Sequence, residues 1–214
     1  MKTRLSDEIL KIYNEFDAAS DALATQFGIH CPPGCGSCCA SPKVEATVLE
    51  MIPLAEWLIH APEAREYLLY FENEELPPHC AFYTPDTLHF NHGRCSVYPH
   101  RPTLCRLFGF AAVRDKREKP VFAACKFIKQ MVPNAVSAVQ AYADEGNDIL
   151  LFTEAAARVA ALEPSLDRRY PINEALKHAL EKVGMRLYLE SLEQNEQPDP
   201  QLDPSTPPDM RNCS

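Results

Sequence analysis

The sequence is poor in glycine, poor in positive charge, and has no long apolar run. Only 7 of its 214 residues are glycine, against 19 proline, which makes for stiff loops and short elements. No stretch reaches the ~20 apolar residues that a membrane span needs. The N-terminal residues Met1 to Leu10 carry charges but no apolar run of signal-peptide length. Both observations predict a cytoplasmic protein without a membrane partner. The formal net charge of −9 argues against a nucleic-acid partner. No glycine-rich nucleotide loop, other cofactor fingerprint or internal repeat is visible. What remains is a chain with 46% hydrophobic residues, enough for a packed core, and of a length that suits one domain with helical additions or a tail.

Cysteine is abundant, with 9 residues. Four of them, Cys31, Cys35, Cys38 and Cys39, fall in the stretch His30-Cys-Pro-Pro-Gly-Cys-Gly-Ser-Cys-Cys39. Cys80, Cys95, Cys105 and Cys125 follow, and Cys213 stands alone near the end. In a reducing cytosol such density points to metal ligands rather than disulfides. Cys35-x-x-Cys38 is the spacing at which a tight turn aims two thiolates at one ion, Gly34 and Gly36 permit the turn, and Pro32 and Pro33 keep it out of a helix. Eight thiolates suffice for two four-ligand sites, or for one site plus buried or reactive thiols. Cys38 and Cys39 are adjacent and diverge, so they suit two metals, two irons of one cluster, or one metal and one packing role. His30, His79, His89, His92 and His100 lie nearby as substitute ligands or proton carriers, His92 being the best placed in sequence. Cys213 reads as a free thiol.

The remainder reads as mainly α, with helices flanking a small irregular α+β metal-binding core of short strands and turns. Leu5, Ile9, Ile12, Phe16, Ala19, Leu23 and Phe27 recur at helical spacing, with Gly28 as the stop. Glu45 to His60 also reads as helix, kinked or divided at Pro53, with Trp57 and Leu58 on its apolar face. Glu63 to Glu75 is a third helix. Short strands are expected at Cys80–Tyr83, Leu88–Phe90, Cys95–Tyr98 and Val121–Cys125, with a hairpin turn at Asn91–Arg94 and a helical turn at Thr103–Arg106. Pro133 opens a helical segment that reaches Leu162 with a break at Gly146. Another runs from Pro171 to Glu193. The expected division is an N-terminal helix (1–29), a cysteine-cluster domain (30–130), a helical segment packed on it (131–193) and a disordered proline-rich tail (194–214). The basic run Arg114–Lys119 reads as a solvated loop.

Cys35-Gly-x-Cys-Cys39, Gly93-x-Cys95-x-Val97-Tyr98 and Arg101-Pro-x-x-Cys105-Arg106-x-Phe108 together resemble the YkgJ-type cysteine-cluster family. It is also called the CxxCxxCC domain, a zinc- or iron-chelating domain. The resemblance covers about residues 31 to 125. It departs at the first interval, which is three residues here, Cys31-x3-Cys35, where the family name shows two. Spacing alone leaves zinc and iron open. The resemblance favours an iron–sulfur cluster, [4Fe–4S] in type, with zinc as the alternative. Cys31, Cys35 and Cys38 or Cys39, completed by Cys95 or Cys105, match a cluster held by three thiolates from one loop and a fourth from elsewhere. Phe82, Tyr83, Phe90, Phe108, Phe110 and Phe122 are candidates for a dry shell. Arg101 and Arg106 are expected to offset the negative charge of a tetrathiolate site and to hydrogen-bond to sulfur.

Three roles follow as expectations. The first is an iron–sulfur carrier or redox accessory factor with a protein partner. The second is a cluster-dependent modifying enzyme, since similar modules occur in flagellin lysine methylases. The third is a zinc-stapled interaction module. No catalytic residue is assigned.

Overall fold

The structure is a computed structural model that describes residues 4–32, 34–72, 75–87 and 92–195. Helices dominate, and the sheets are three separate two-stranded ribbons. Helix α1, Leu5–Phe27, ends on Gly28 at φ 66°, and the amide of Ile29 returns to the carbonyl of Ala24. This is the left-handed C-terminal cap for which glycine is suited. Its inward face is Ile9, Tyr13 and Phe16 with the small Ser6 and Ser20. The apolar stripe predicted from spacing is therefore rotated. Ile12, Leu23 and Phe27 are only half-buried and Ala19 faces solvent, because the helix packs through a tyrosine that the stripe left out.

The segment after the cysteine loop is not all helix. Glu45–Thr47 is a strand, β1, and helix α2 runs Val48–Ile59. Thr47 and Glu50 form a reciprocal capping box: the Glu50 amide donates to Thr47 Oγ1 (3.1 Å) and the Thr47 amide to Glu50 Oε2 (2.7 Å). This Thr-x-x-Glu signature marks the true helix start. Helix α2 continues unbroken through Pro53. A proline there forfeits a backbone hydrogen bond and clashes, at a cost of about 3 kcal/mol. Leu49, Met51, Ile52, Leu54 and Leu58 are all buried to within 2%. At about 1.5–3 kcal/mol each, their burial outweighs the break. Trp57 departs from its expected place: it is 41% exposed and stacks on His100 at 4.8 Å.

Helix α3 covers Ala64–Glu72, with Phe71 inward and Leu68 outward. Strands β2, Tyr83–Pro85, and β3, Gly93–Cys95, pair antiparallel with Tyr83 opposite Cys95. The expected strand at Cys80 is a turn instead, closed by Tyr83 N–H to the Cys80 carbonyl, so the strand starts at Tyr83. The expected strand Leu88–Phe90 lies outside the described residues, as do Asn91, His89 and Cys213. Helix α4 is Thr103–Leu107, and strands β4, Ala112–Arg114, and β5, Pro120–Phe122, form the second hairpin. Helix α5, Lys126–Met131, follows Cys125. Helix α6, Pro133–Asp144, and helix α7, Phe152–Ala160, flank the predicted break, where Gly146 has φ 83°. Strand β6, Arg169–Pro171, pairs with β1 and leads straight into helix α8, Ile172–Asn195. The proline-rich tail expected from Gln194 onward lies outside the described residues, apart from the last turn of α8.

Two hydrophobic clusters result. The larger joins α1, α2, α7 and α8 through Phe16, Leu54, Leu58, Val159, Leu176 and Leu180, and it takes in Cys80 with Cys95 and Cys105 at its edge. The smaller gathers Ile29, Phe122, Ile128, Val139 and Leu151, with Cys125 at its edge. The cysteines thus line the seam where the two clusters meet. Among the described residues no helix is long and apolar enough to cross a membrane.

Candidate metal centre

The ligand loop is docked on the β2–β3 hairpin through backbone contacts. Cys35 bridges to His92, and the Gly93 amide donates to the Gly34 carbonyl (2.9 Å). Gly34 sits at φ 70°, which a side chain tolerates poorly. Gly36 and Gly93 lie back to back beside the Tyr83 ring. A Cβ on Gly36 would stand 2.4 Å from Tyr83 Cε2 and 2.9 Å from the Gly93 carbonyl carbon, and one on Gly93 2.3 Å from the same ring atom. Both glycines are there because two backbones and a ring meet without space for a methyl group.

Each remaining thiol has its own anchor. The Cys80 amide reaches the Cys39 carbonyl (3.4 Å), and the segment around Cys80 is gripped by the buried Asn173 of α8. The Asn173 amide nitrogen donates to the carbonyls of Pro77 and His79, both at 2.8 Å, and its oxygen accepts from the Ala81 amide at 2.9 Å. Cys95 is fixed by its strand. Cys105 rides on α4, which Arg106 fastens down: Arg106 is 5% exposed, donates to the carbonyls of Arg101 (2.7 Å) and Pro99, pairs with Asp17, and lies over the Tyr13 ring. Cys125 caps α5, its Sγ accepting from the Ile128 amide (3.5 Å), and Gly109 beside it, at φ 89°, would bring a Cβ to 3.2 Å from Ile128 Cδ1. Cys31 is exposed at the edge.

Seven of these thiols, Cys31, Cys35, Cys38, Cys39, Cys95, Cys105 and Cys125, line one cavity of about 890 Å³. Cys80 lies behind it, on a pocket of about 20 Å³ shared with Cys39, Cys95, Cys105 and His100. All eight are free thiols. Residues 30–129 match the model of the CxxCxxCC family, whose description reads "putative zinc- or iron-chelating domain". Over this stretch, just under half of its length, the chain is similar to that family. No curated protein and no solved structure matches the chain.

All eight clustered cysteines fall inside the matched stretch, and the helices α6 to α8 fall outside it. Asn173 nevertheless reaches in from α8 to set Cys80, a role that no cysteine spacing could reveal. The thiols are electrically linked. Hydrogen bonding from the Cys39 thiol lowers Cys38 to about 6 and Cys95 to about 7, while Cys39 itself is raised. Burial first, and then neighbouring thiols, push Cys80 up to about 11, and burial raises Cys105 still higher. Among the main influences on Cys31, Cys38, Cys95 and Cys105, Arg101 is the one cation, favouring the thiolate in each.

The two arginines therefore stand differently. Arg101 donates to the carbonyls of Tyr98 (2.9 Å) and Cys105 (3.2 Å), covers the Tyr98 ring, and borders both cavities. Arg106 borders neither, and its guanidinium is committed to Asp17 and two carbonyls. Of the aromatic candidates, Phe108 and Phe110 line the large cavity, Phe82 the small pocket, and Phe122 sits in the smaller hydrophobic cluster. Phe127, which periodicity did not single out, lines the cavity as well. Phe90 lies outside the described residues. His30 and His92 are exposed, and His79 stands edge-on to the Tyr83 ring. His100 is half-buried with its Nδ1 unpartnered among the described residues, and burial lowers its basicity.

The donor set fits a thiophilic metal: soft thiols in excess of four, two of them shifted toward the thiolate form that binds metal. Among the described residues no three Cys, His, Asp or Glu side chains are arranged closely enough to hold an ion. The thiols ring a space rather than a point.

Proposed function

We propose that the CxxCxxCC-like stretch of this chain holds an iron–sulfur cluster, [4Fe–4S] in type, and serves as a redox or accessory factor for a protein partner in the cytoplasm. The supporting observation is the ring of seven thiols round one cavity of about 890 Å³. A single tetrahedral zinc ion takes four ligands at about 2.3 Å and fills on the order of 50 Å³. The thiols are spread too widely for one such ion: among the described residues no three are arranged closely enough to hold it. A cluster draws its thiolates from a wider perimeter and is tuned by burial and by charges near sulfur. Cys31, Cys35, Cys38 and Cys39 on the loop, with Cys95 and Cys105 opposite, are the residues that would hold it, backed by Cys80 and Cys125. Arg101 would offset its charge, while Arg106 supports it through α4. A bound cluster would supply one-electron chemistry. The free thiols fit a reducing compartment.

Anaerobic purification followed by iron, zinc and acid-labile sulfide assays tests this reading. Brown protein with about four irons and four sulfides per chain is expected. Colourless protein with stoichiometric zinc would contradict it and leave the second reading, a zinc-stapled interaction module. That reading draws on the outer face of α8, where Met185, Tyr188 and Leu189 are each more than half exposed.

A further inference from the structure

The cavity is larger than any metal centre that its thiols can hold, and its walls carry positive charge although the chain as a whole is negative. The sequence has 30 acidic residues against 21 basic ones. Yet among the described residues no carboxylate lines the cavity, whereas Lys43, Arg94, Arg101 and Lys126 do. None of the four forms an ion pair among the described residues. Elsewhere Arg106, Arg114, Arg158 and Arg186 all find carboxylates. Four-thiolate coordination of a divalent ion or an oxidised [4Fe–4S] core carries a formal charge of −2, so the four cations exceed it and leave the walls net positive. The walls between them are mostly apolar, with Phe110 and Phe127 facing the space and Lys126 Nζ 4.9 Å from the Phe127 ring. A volume of about 890 Å³ falls in the range of about 300–1,000 Å³ that small-molecule sites occupy.

We propose that the space beside the thiols binds a small organic anion, with an apolar or aromatic body against Phe110 and Phe127 and a carboxylate or phosphate between Lys43, Arg94 and Lys126. Cations in a partly enclosed, apolar-walled cleft focus their field on the ligand and strengthen its hydrogen bonds. Arg101, fixed to two carbonyls, stays with the thiols, and the three more exposed cations take the ligand. The site does not depend on which metal the thiols hold. It places a ligand next to that metal, as a substrate or an effector of the centre would be.

Calorimetric titration of the full chain, as purified with its metal, with phenyl phosphate, phenylacetate, neutral benzyl alcohol and a hexaglutamate peptide tests the proposal. At least one aromatic anion should bind about tenfold or more tightly than benzyl alcohol, and the two anions distinguish phosphate from carboxylate. The triple variant Lys43→Gln/Arg94→Gln/Lys126→Gln should weaken that binding about tenfold or more with metal content unchanged. Arg94→Gln alone should weaken it a few-fold, which keeps the test available should the triple variant fold poorly. Benzyl alcohol binding as tightly as both anions, affinity unmoved by the substitutions, or binding of hexaglutamate alone would each overturn the proposal. A colourless, zinc-loaded chain that still binds phenyl phosphate sinks the iron–sulfur reading and leaves this one standing. A metal-loaded chain that ignores both anions does the reverse.

Discussion

At the scale of single residues, thiol ionisation separates the cysteines into two groups. Cys38 and Cys95 are lowered by the hydrogen bonds of Cys39, while Cys80 and Cys105 are raised by burial. Thiolate is the nucleophile. Iodoacetamide at pH 7 should therefore label Cys38 and Cys95 of the metal-free protein well before Cys80 and Cys105, as read by peptide mass spectrometry. Labelling of Cys38 and Cys95 should fade as pH falls through about 6 to 7, where each gains its proton. Equal rates at all four would contradict the arrangement. Arg106 makes a second case. Removing one partner of a buried ion pair costs several kcal/mol, and Asp17 is 38% exposed, which softens the loss. Arg106→Ala should lower stability by roughly 2–3 kcal/mol, measured by denaturant unfolding of the metal-free chain. Arg101→Ala, whose guanidinium borders the thiols, should instead show itself in metal retention.

Elements show where sequence reading succeeds and where it stops. The ends of α1 were legible because Gly28 is a local signal for a local conformation, and the break at Gly146 likewise. Helix α2 shows the opposite. A proline in mid-segment reads as a kink, but tertiary burial of five large side chains overrides it. The strand β1 was hidden because its partner β6 lies more than a hundred residues away, although Thr47 and Glu50 held the clue to the helix start. The cysteine loop was legible as a ligand loop from spacing. Its docking was not, because that depends on Gly36 meeting Gly93 across a ring contributed by Tyr83. Gly93→Ala should push the loop off the hairpin. The variant is expected to lose most of its metal while keeping its helical circular dichroism, since neither glycine touches α1, α2 or α8. Full metal content in Gly93→Ala would show that the docking is dispensable.

Across the whole molecule, the thiols sit between two hydrophobic clusters, with Cys80, Cys95 and Cys105 on one and Cys125 on the other. The helices that separate the two halves of the cysteine pattern in sequence are the core of the larger cluster. Folding that core brings Cys39 and Cys80 to within a backbone hydrogen bond. Asn173 carries the same coupling to the last helix. Metal bound across such a seam contributes its binding free energy to folding. The same layout leaves the cation-lined space open beside the thiols rather than closed over them. The central claim is that thiolates of the cysteine loop and of the segment opposite it, Cys95 and Cys105, hold the metal together. X-ray absorption at the metal edge of anaerobically purified protein measures this directly. The account predicts about four sulfur neighbours at about 2.3 Å, reduced in both Cys38→Ser and Cys95→Ser. A shell dominated by nitrogen or oxygen, or one that neither substitution alters, would contradict it.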